Sequence, residues 1–183
     1  MAEPLADQVM RKIKQAAELY HRLMLVVAPA GAGKTTALTY VKERIGAPLV
    51  NVNLELSRRM LELTERQRAL QLPRLLREIV DDAASDLPAE APARAASSAA
   101  GGSAQAGVVL LDNLEILFDV SLQQDPLRLL QGLSRNKTVV AAWNGSIDKD
   151  HMTYAVPDHP EYRRYLVRDF LVASSDLPAG RQG

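Results

Sequence analysis

One short run of small residues constrains this chain more than any other feature. The run follows a continuous apolar segment, residues 23–27 (LMLVV), and precedes a segment rich in helix-forming residues. An apolar run that ends in a turn rich in proline and glycine is typical of a buried parallel strand. The small residues fit the phosphate-binding loop pattern, with alanine where the strict pattern has its first glycine. The sequence therefore predicts a strand, a phosphate-binding loop and a helix in succession, in an α/β protein.

Each position of the predicted loop has a physical role toward a nucleoside triphosphate. Gly31 and Gly33 let the backbone curl so that several N–H groups converge on phosphate oxygens. The helix beginning at Lys34 directs the positive end of its dipole to the same place. The Lys34 ammonium is expected to reach the β- and γ-phosphates, and the Thr35 hydroxyl is expected to bind Mg²⁺. The residues predicted to bind ATP or GTP are Ala28, Pro29, Ala30, Gly31, Ala32, Gly33, Lys34, Thr35 and Thr36.

A second signal lies downstream, at an aspartate that follows another apolar run. Asp112 comes directly after residues 108–111 (VVLL), which are predicted to form a buried strand. Ligands bind at the carboxyl ends of strands in open α/β sheets. A carboxylate there can hold Mg²⁺ opposite Thr35. Thr35 and Asp112 are therefore the predicted metal ligands, and Lys34 and Asp112 are predicted catalytic groups.

The order of the predicted strands indicates one division of P-loop proteins. A single strand–helix unit separates the loop strand from the strand that ends at Asp112, and further strands are predicted at 138–143 and 170–173. This is the arrangement of AAA-type ATPases, with three layers and a parallel five-stranded sheet in the order 5-1-4-3-2. Asn144 then takes the place of the polar sensor residue that orients the attacking water. The alternative interpretation of Asn144 is a turn residue before Gly145.

The residue after Asp112 departs from the pattern of that division. Many members have a glutamate there, which takes a proton from the attacking water, whereas this chain has Asn113. An amide cannot take that proton, and general-base catalysis contributes about 10²–10⁴ in rate. Glu115 is the nearby candidate for a substitute base, and a solvated surface residue is the alternative. Slow or partner-dependent hydrolysis is therefore expected.

No helical lid domain is expected, because the chain stops soon after the fifth predicted strand. An arginine finger, which stabilises charge on the transferred phosphate, would then come from elsewhere. The candidates, in a neighbouring subunit, are Arg58, Arg59, Arg163 and Arg164. The alternative for each is an ordinary surface arginine.

The predicted organisation is one nucleotide-binding domain, at residues 23–173. Residues 1–22 have apolar positions at helical spacing and are predicted to form an amphipathic helix packed on that domain. An insert at about 87–107, rich in alanine, serine and glycine, is predicted to be disordered, and residues 174–183 to be a flexible tail. The remaining predictions are a strand at 49–53, helices at 56–63, 73–85 and 161–165, and an irregular segment at 146–160.

Composition narrows the choice of partners and location. The chain has no cysteine, which excludes disulfides and thiolate metal sites, and its three histidines are too scattered to suggest a metal site. The 22 basic and 22 acidic residues do not indicate a broad basic face, so contact with DNA is expected to be indirect. The N-terminal segment lacks the apolar stretch of a signal peptide, and no segment reaches a membrane-spanning length. A cytoplasmic protein without membrane contact is expected.

Four further stretches carry a family resemblance. They are residues 51–63 (NVNLELSRRMLEL), 110–119 (LLDNLEILFD), 124–145 (QDPLRLLQGLSRNKTVVAAWNG) and 159–165 (HPEYRRY). Together they resemble BrxF, a family of small P-loop proteins from type 3 bacteriophage-exclusion (BREX) defence systems of bacteria. The resemblance implies an ATP-binding component of a system that methylates host DNA and blocks phage replication. It implies partners among that system's other proteins, such as its large ATPase, methyltransferase and phosphatase-like members.

The resemblance also implies nucleotide roles for the loop and Asp112, and less directly for Asn113, Glu115 and Asn144. The polar residues at or beyond the end of the second predicted strand are expected to face the ligand edge or a partner: Asn51, Asn53, Glu55 and Arg58. The leading hypothesis is an ATPase or ATP-controlled switch in a defence complex. A nucleotide-held assembly module without turnover is the alternative, and a small-molecule kinase ranks third. Self-association is left open, because ATPases of this division often build the active site between subunits.

Overall fold

The computed structural model describes residues 4–85 and 107–175, which form an α/β fold with a mostly parallel sheet. Over these residues the helices are α1 (Leu5–Ala16), α2 (Lys34–Ile45), α3 (Val52–Arg59), α4 (Glu65–Ser85) and α5 (Pro126–Leu133). The strands are β1 (Leu23–Ala28), β2 (Leu49–Asn51), β3 (Val108–Asp112), β4 (Thr138–Asp148), β5 (His151–Tyr154), β6 (Arg163–Leu166) and β7 (Leu171–Ser174). None of the helices in this part of the chain has the length and apolarity needed to span a bilayer.

The parallel strands lie side by side in the order β7-β1-β4-β3-β2. β1 is buried along its whole length, because it has a neighbouring strand on each side and helices on both faces. The register pairs Ala28 with Asn144 and Asn51 with Asp112 at the strand ends. The carboxyl ends of these parallel strands therefore meet at one edge of the sheet, where the 28–35 loop also lies.

Helices cover both faces of the sheet. On one face, α3, α4 and α5 pack through apolar side chains that include Leu56, Leu76 and Leu130. On the other face, α1 and α2 pack through Val9 and Val41, among others, against β1 and β4. The sheet is thus the middle of three layers, and the 28–35 loop enters α2 at its edge.

The sheet is larger than the predicted five strands, because β4 continues into an antiparallel extension. β4 runs on to Asp148 and pairs with β5, which pairs in turn with β6. The predictions of an irregular segment at 146–160 and a helix at 161–165 are therefore wrong. Long-range contacts decide this structure: the Trp143 indole Nε1–H donates to the Thr153 carbonyl at 3.0 Å, and the Tyr154 ring stacks on Phe118.

The predicted bounds of the three elements that follow α2 are also wrong, and the helix predicted at 56–63 is α3, Val52–Arg59. β2 ends at Asn51, and α3 begins at Val52, because the Asn51 side chain accepts a hydrogen bond from the Leu54 N–H at 3.1 Å and caps the helix. α4 begins at Glu65, whereas the predicted helix begins at Pro73. Pro73 therefore lies inside the helix and not at its start. Thr64 and Gln67 exchange side-chain-to-backbone hydrogen bonds at 2.9 and 3.3 Å, which is a capping box that sets the earlier start.

Parts of the predicted insert and tail lie outside the described residues. The predicted insert at 87–107 lies outside the described residues except for Gly107, and so does the predicted tail from residue 176 onward. The N-terminal helix spans α1 rather than all of residues 1–22, and β7 ends one residue beyond the predicted fifth strand. β7 therefore includes Ser174, which the sequence assigns to the tail.

Candidate functional site

The 28–35 loop connects β1 to α2 in a conformation that requires glycine. Gly31 and Gly33 have φ values of 78° and 88°, in the left-handed region that other residues adopt only with strain. Apart from the adjacent residues in the chain, no described atom lies within 4 Å of a Cβ built on either glycine, so the backbone angle, and not crowding, demands them. The Ala32 N–H donates to the Pro29 carbonyl at 3.2 Å and closes a turn. This open, curled backbone fits a phosphate group.

Lys34, the first residue of α2, is turned back onto the loop. Its Nζ donates to the carbonyls of Ala28 and Pro29 at 2.8 and 2.7 Å, and the residue is 7% exposed. Burial lowers the pKa of Lys34, while the carboxylates of Asp112 and Glu115 act in the opposite direction. An ammonium group has three N–H donors, of which these carbonyls take two. The third N–H has no hydrogen-bond partner among the described residues.

The two predicted metal ligands are in direct contact. The Thr35 hydroxyl donates to Asp112 Oδ2 at 2.6 Å, and the other oxygen of Asp112 accepts from the Asn113 N–H at 2.9 Å. Asp112 is 7% exposed at the end of β3. A hydroxyl and a carboxylate side by side are the hard oxygen donors that Mg²⁺ takes together with phosphate oxygens. The residues present therefore fit Mg²⁺.

The backbone explains why asparagine follows Asp112. Asn113 has a φ of 54°, and its carbonyl accepts a hydrogen bond from the Asn53 N–H at 3.0 Å. Asparagine tolerates this left-handed conformation, whereas most other residues are strained by about 1–2 kcal/mol there. The turn carries the chain away from the extended path of β3, so that the next acidic side chain to reach the site is Glu115.

Glu115 is held by two side-chain amide groups, one from α3 and one from β4. Its Oε1 accepts from Asn144 Nδ2 at 2.6 Å, and its Oε2 accepts from Asn53 Nδ2 at 3.0 Å. Asn53 is itself fixed, because its Oδ1 accepts the Ile116 N–H at 2.8 Å. Glu115 is thus half-buried and hydrogen-bonded through both oxygens, unlike a solvated surface carboxylate.

Sequence reasoning missed the part that Asn53 plays. It lies at the start of α3, beside the end of β2, and is the only side chain that bonds both Glu115 and the backbone after it within the described residues. The sequence places it at the ligand edge or a partner surface without a chemical role. The two asparagines at positions 51 and 53 are the feature of the sequence that points to this role. Which of them caps a helix and which bonds Glu115 depends on the residue at which β2 ends.

Asn144 lies inside a strand, not in a turn. β4 continues through Asn144 and Gly145 to Asp148, so the alternative interpretation as a turn residue is wrong. Its side chain reaches Glu115, and its backbone is paired with Ala28 of the loop strand. Lys34, Asp112, Glu115 and Asn144 therefore occupy one edge of the sheet.

A cavity of about 370 Å³ lies between the loop and the antiparallel extension. Its lining includes Pro29 and Ala30 of the loop and Ser146 and Thr153 of the extension, beside Asn144, Tyr154, His159 and Glu161. Burial, together with the carboxylates of Glu161 and Glu115, raises the pKa of Tyr154 to about 12. The cavity is not predicted from the sequence, because the extension that forms one wall is not predicted either.

The four candidate arginines differ in their contacts. Arg59 forms an ion pair with Asp82 at 2.9 Å on α4, and Arg58 pairs with Glu55 at 3.5 Å within α3. The Arg163 guanidinium donates to the Gln124 carbonyl at 3.4 Å. Arg164 is exposed, and its side chain has neither a hydrogen bond nor an ion pair in the part of the chain that the structure describes.

Comparison with known proteins adds no family assignment. No family model matches the chain, and no curated protein has significant sequence similarity to it. The resemblance to the BREX proteins therefore stays a prediction.

These residues together form a set suited to a nucleoside triphosphate. A buried ammonium, a hydroxyl–carboxylate pair and a second carboxylate lie at the mouth of an open glycine loop. Cations and backbone N–H groups stabilise phosphate charge, and a carboxylate close by can accept a proton from water. The arrangement can bind a phosphate chain, and it has one group suited to activate water.

Proposed function

We propose that this chain binds ATP with Mg²⁺ through the 28–35 loop and hydrolyses it slowly, or only together with partner proteins. The observation that carries the proposal is the contact between Thr35 and Asp112 beside the inward-turned Lys34. The strand order β7-β1-β4-β3-β2 supports assignment to the P-loop fold with a fourth strand inserted beside the first. The sequence resemblance supports a place in a bacterial anti-phage complex of the BREX type 3 kind.

Binding follows from the charges at the sheet edge. The N–H groups of the loop and the N-terminus of α2 receive the phosphate oxygens, and Lys34 adds the positive charge. A unit charge pair at 4 Å in a partly screened site has a Coulomb energy of about 4 kcal/mol. Thr35 and Asp112 would hold the Mg²⁺, which neutralises charge on the phosphate oxygens when bound. Loss of Lys34 should therefore abolish most binding.

Hydrolysis is slow in this proposal because the base is occupied. Glu115 is the carboxylate placed to take a proton from water, and Asn144 is placed to orient that water. Both oxygens of Glu115 already accept amide N–H groups, from Asn53 and Asn144. A water must displace one of these donors before Glu115 can act, and a nucleotide or partner that moves either amide would speed the reaction.

The same contacts favour a second function. If nothing releases Glu115, the bound nucleotide would stabilise the fold or an interface without turnover, and the chain would be an assembly module. The partners in either case would be other proteins of the phage-exclusion system or a second copy of this chain, with DNA contacted through them. Turnover is the property that separates the two functions.

The test is ATP binding and phosphate release by the wild type and Lys34→Ala, with and without the other proteins of the system. Lys42→Ala is the matched control, because Lys42 is an exposed lysine on the same helix. Turnover that is lost in Lys34→Ala and kept in Lys42→Ala is the expected result. Binding without turnover in every mixture would favour the assembly module, and a specific phosphorylated product would favour a kinase. Equal binding by wild type and Lys34→Ala would refute the site.

A further inference from the structure

The cavity of about 370 Å³ beside the 28–35 loop is large enough for a small organic molecule. Ligand pockets commonly have volumes of about 300–1,000 Å³ and are mostly apolar, with a few polar groups that fix the ligand. Here the loop contributes Pro29 and Ala30 to the lining, and the segment after β5 contributes Ala155 and Val156. These four residues favour contact with the apolar face of a ligand.

The charge of the lining argues against a phosphate group inside the cavity. Glu161 is the one acidic residue in the described lining, and neither a lysine nor an arginine belongs to that lining. The negative charge of its carboxylate repels a phosphate, for which the N–H groups of the loop and Lys34 are better suited. The cavity therefore suits an uncharged molecule, or the uncharged part of a larger one.

Tyr154 gives the cavity a hydrogen-bond donor that no described residue satisfies. The residue is 7% exposed and lines the cavity, and its hydroxyl has no hydrogen-bond partner among residues 4–85 and 107–175. A hydroxyl in so buried a residue normally has a partner. No polar side-chain atom of the described residues is both fully enclosed and unpartnered, so the hydroxyl is accessible, and the cavity is the space that Tyr154 lines. The pKa of Tyr154 is raised to about 12, so the hydroxyl keeps its proton at neutral pH.

His159 and Glu161 add a second donor and an acceptor to the lining. The Glu161 N–H donates to His159 Nδ1 at 3.1 Å. A ring nitrogen that accepts has no proton, so the neutral ring has its proton on Nε2 and is a donor there. The Glu161 carboxylate only accepts, and it has neither a hydrogen bond nor an ion pair within the described ranges. A ligand that bonds all three side chains must both accept and donate, as the base edges and ribose hydroxyls of a nucleoside do.

We propose that this cavity is a binding site for a nucleoside, whose polar groups bond Tyr154, His159 and Glu161. A carboxylate is a common partner of ribose hydroxyls in nucleotide-binding proteins. Two sources supply this chemistry: a separate nucleoside, or the nucleoside part of the ATP bound at the 28–35 loop. The inference goes beyond the proposed function, because it assigns a ligand to a cavity that phosphate binding does not use.

The experiment titrates the full chain with each common ribonucleoside, up to millimolar concentration, by isothermal calorimetry. The wild type is expected to bind at least one of them. Tyr154→Phe removes the hydroxyl and keeps the ring, so it should weaken that binding about three- to tenfold, the size of one lost hydrogen bond. Glu161→Gln should weaken it about tenfold or more, because a bond to a charged acceptor is lost.

Tyr162→Phe is the matched control for these variants. Tyr162 is partly buried and adjacent to Glu161 in the chain, but it does not line the cavity. Its substitution should leave nucleoside binding unchanged. Circular dichroism establishes that each variant is folded.

Mg-ATP separates the two sources. A nucleoside that Mg-ATP displaces stands for the nucleoside part of the nucleotide, whereas one that binds together with Mg-ATP is a separate ligand. Absence of binding by every ribonucleoside, or equal binding by the wild type, Tyr154→Phe and Glu161→Gln, would overturn the inference even where Mg-ATP binds. Lys34→Ala should keep its nucleoside binding, because Lys34 does not line the cavity. A wild type that binds a nucleoside but no phosphate would refute the proposed function and leave this inference standing.

Discussion

The ammonium group of Lys34 is subject to two opposing effects. Burial lowers its pKa below the usual 10.5, and the carboxylates of Asp112 and Glu115 offset part of that decrease. A bound triphosphate adds negative charge, which raises the pKa again. Binding should therefore be coupled to proton uptake at alkaline pH, where the free protein has begun to lose this charge.

A pH series tests that coupling. ATP affinity is expected to fall as the pH rises through the lowered pKa of Lys34, at a pH below 10.5. The free energy of unfolding of the free protein should rise with pH over the same window, because the unfolded chain then binds more protons than the folded one. Calorimetric titration in two buffers with different ionisation enthalpies measures the proton uptake. Affinity that stays constant up to pH 10.5 would contradict the expectation.

Asn53 provides a second prediction at the scale of single residues. Asn53→Ala removes the N–H donor on Glu115 Oε2, so water gains access to that oxygen. The rate of phosphate release is expected to rise severalfold, with ATP affinity unchanged. Combining Asn53→Ala with Glu115→Gln is the control, because an amide cannot take the proton. A rate increase that persists in the double variant would show that Glu115 is not the base.

At the scale of elements, the antiparallel extension decides what borders the site. β4 leaves the parallel sheet after Asn144 and continues into the antiparallel extension with β5 and β6, and β5 lines the cavity beside the 28–35 loop. The close approach of β4 and β5 at Gly145 is essential to this arrangement, because a Cβ there would overlap the backbone oxygen of Thr153. The extension thus depends on glycine at one position, and the cavity depends on the extension.

Gly145→Ala tests the extension. The added methyl group must push β5 away from β4, and the expected cost is about 1–3 kcal/mol of unfolding free energy. Gly132→Ala is the matched control, because Gly132 lies in α5 and no described atom comes within 4 Å of its added Cβ. That control should stabilise the protein by about 0.5–1 kcal/mol, through the better helix propensity of alanine. Urea unfolding of both variants measures the difference, and equal stabilities would contradict this account of the hairpin.

At the scale of the whole molecule, the site joins segments that are distant in the sequence. The loop, α3, the turn after β3 and Asn144 within β4 all contribute hydrogen bonds to one edge of the sheet. A ligand that binds there contacts groups that come together only in the folded state. Ligand binding should therefore stabilise the entire fold by mass action.

Thermal unfolding measures that stabilisation. Mg-ATP at a hundred times its dissociation constant should add about 2.7 kcal/mol, which corresponds to a rise in Tm of about 5–10 °C for a chain of this size. Lys34→Ala should show no rise at the same concentration, whereas Lys42→Ala should respond like the wild type. An equal rise in Lys34→Ala and in the wild type would place the nucleotide elsewhere on the molecule.

Much of the central sheet could be predicted from local patterns. The apolar runs before Ala28 and Asp112 form β1 and β3, because strands buried on both faces need continuous apolar side chains. The glycines at 31 and 33 have the left-handed backbone that the loop pattern requires. The predicted α/β class with a mostly parallel sheet is confirmed. It could be predicted because strands alternate with helices along the chain.

The contacts of Glu115 were decided by the tertiary structure. Asn53 and Asn144 lie 62 and 29 positions away from Glu115 in the sequence, and no periodicity connects them. The same holds for β5, which pairs with β4, and for β6, which pairs with β5, because these pairings give order to a segment that the sequence predicts to be irregular. Local patterns set which segments are buried, because burial follows side-chain polarity. Polar contacts between strand ends depend on register and on the exact residue at which each strand stops, and these are set by the packing of the whole chain.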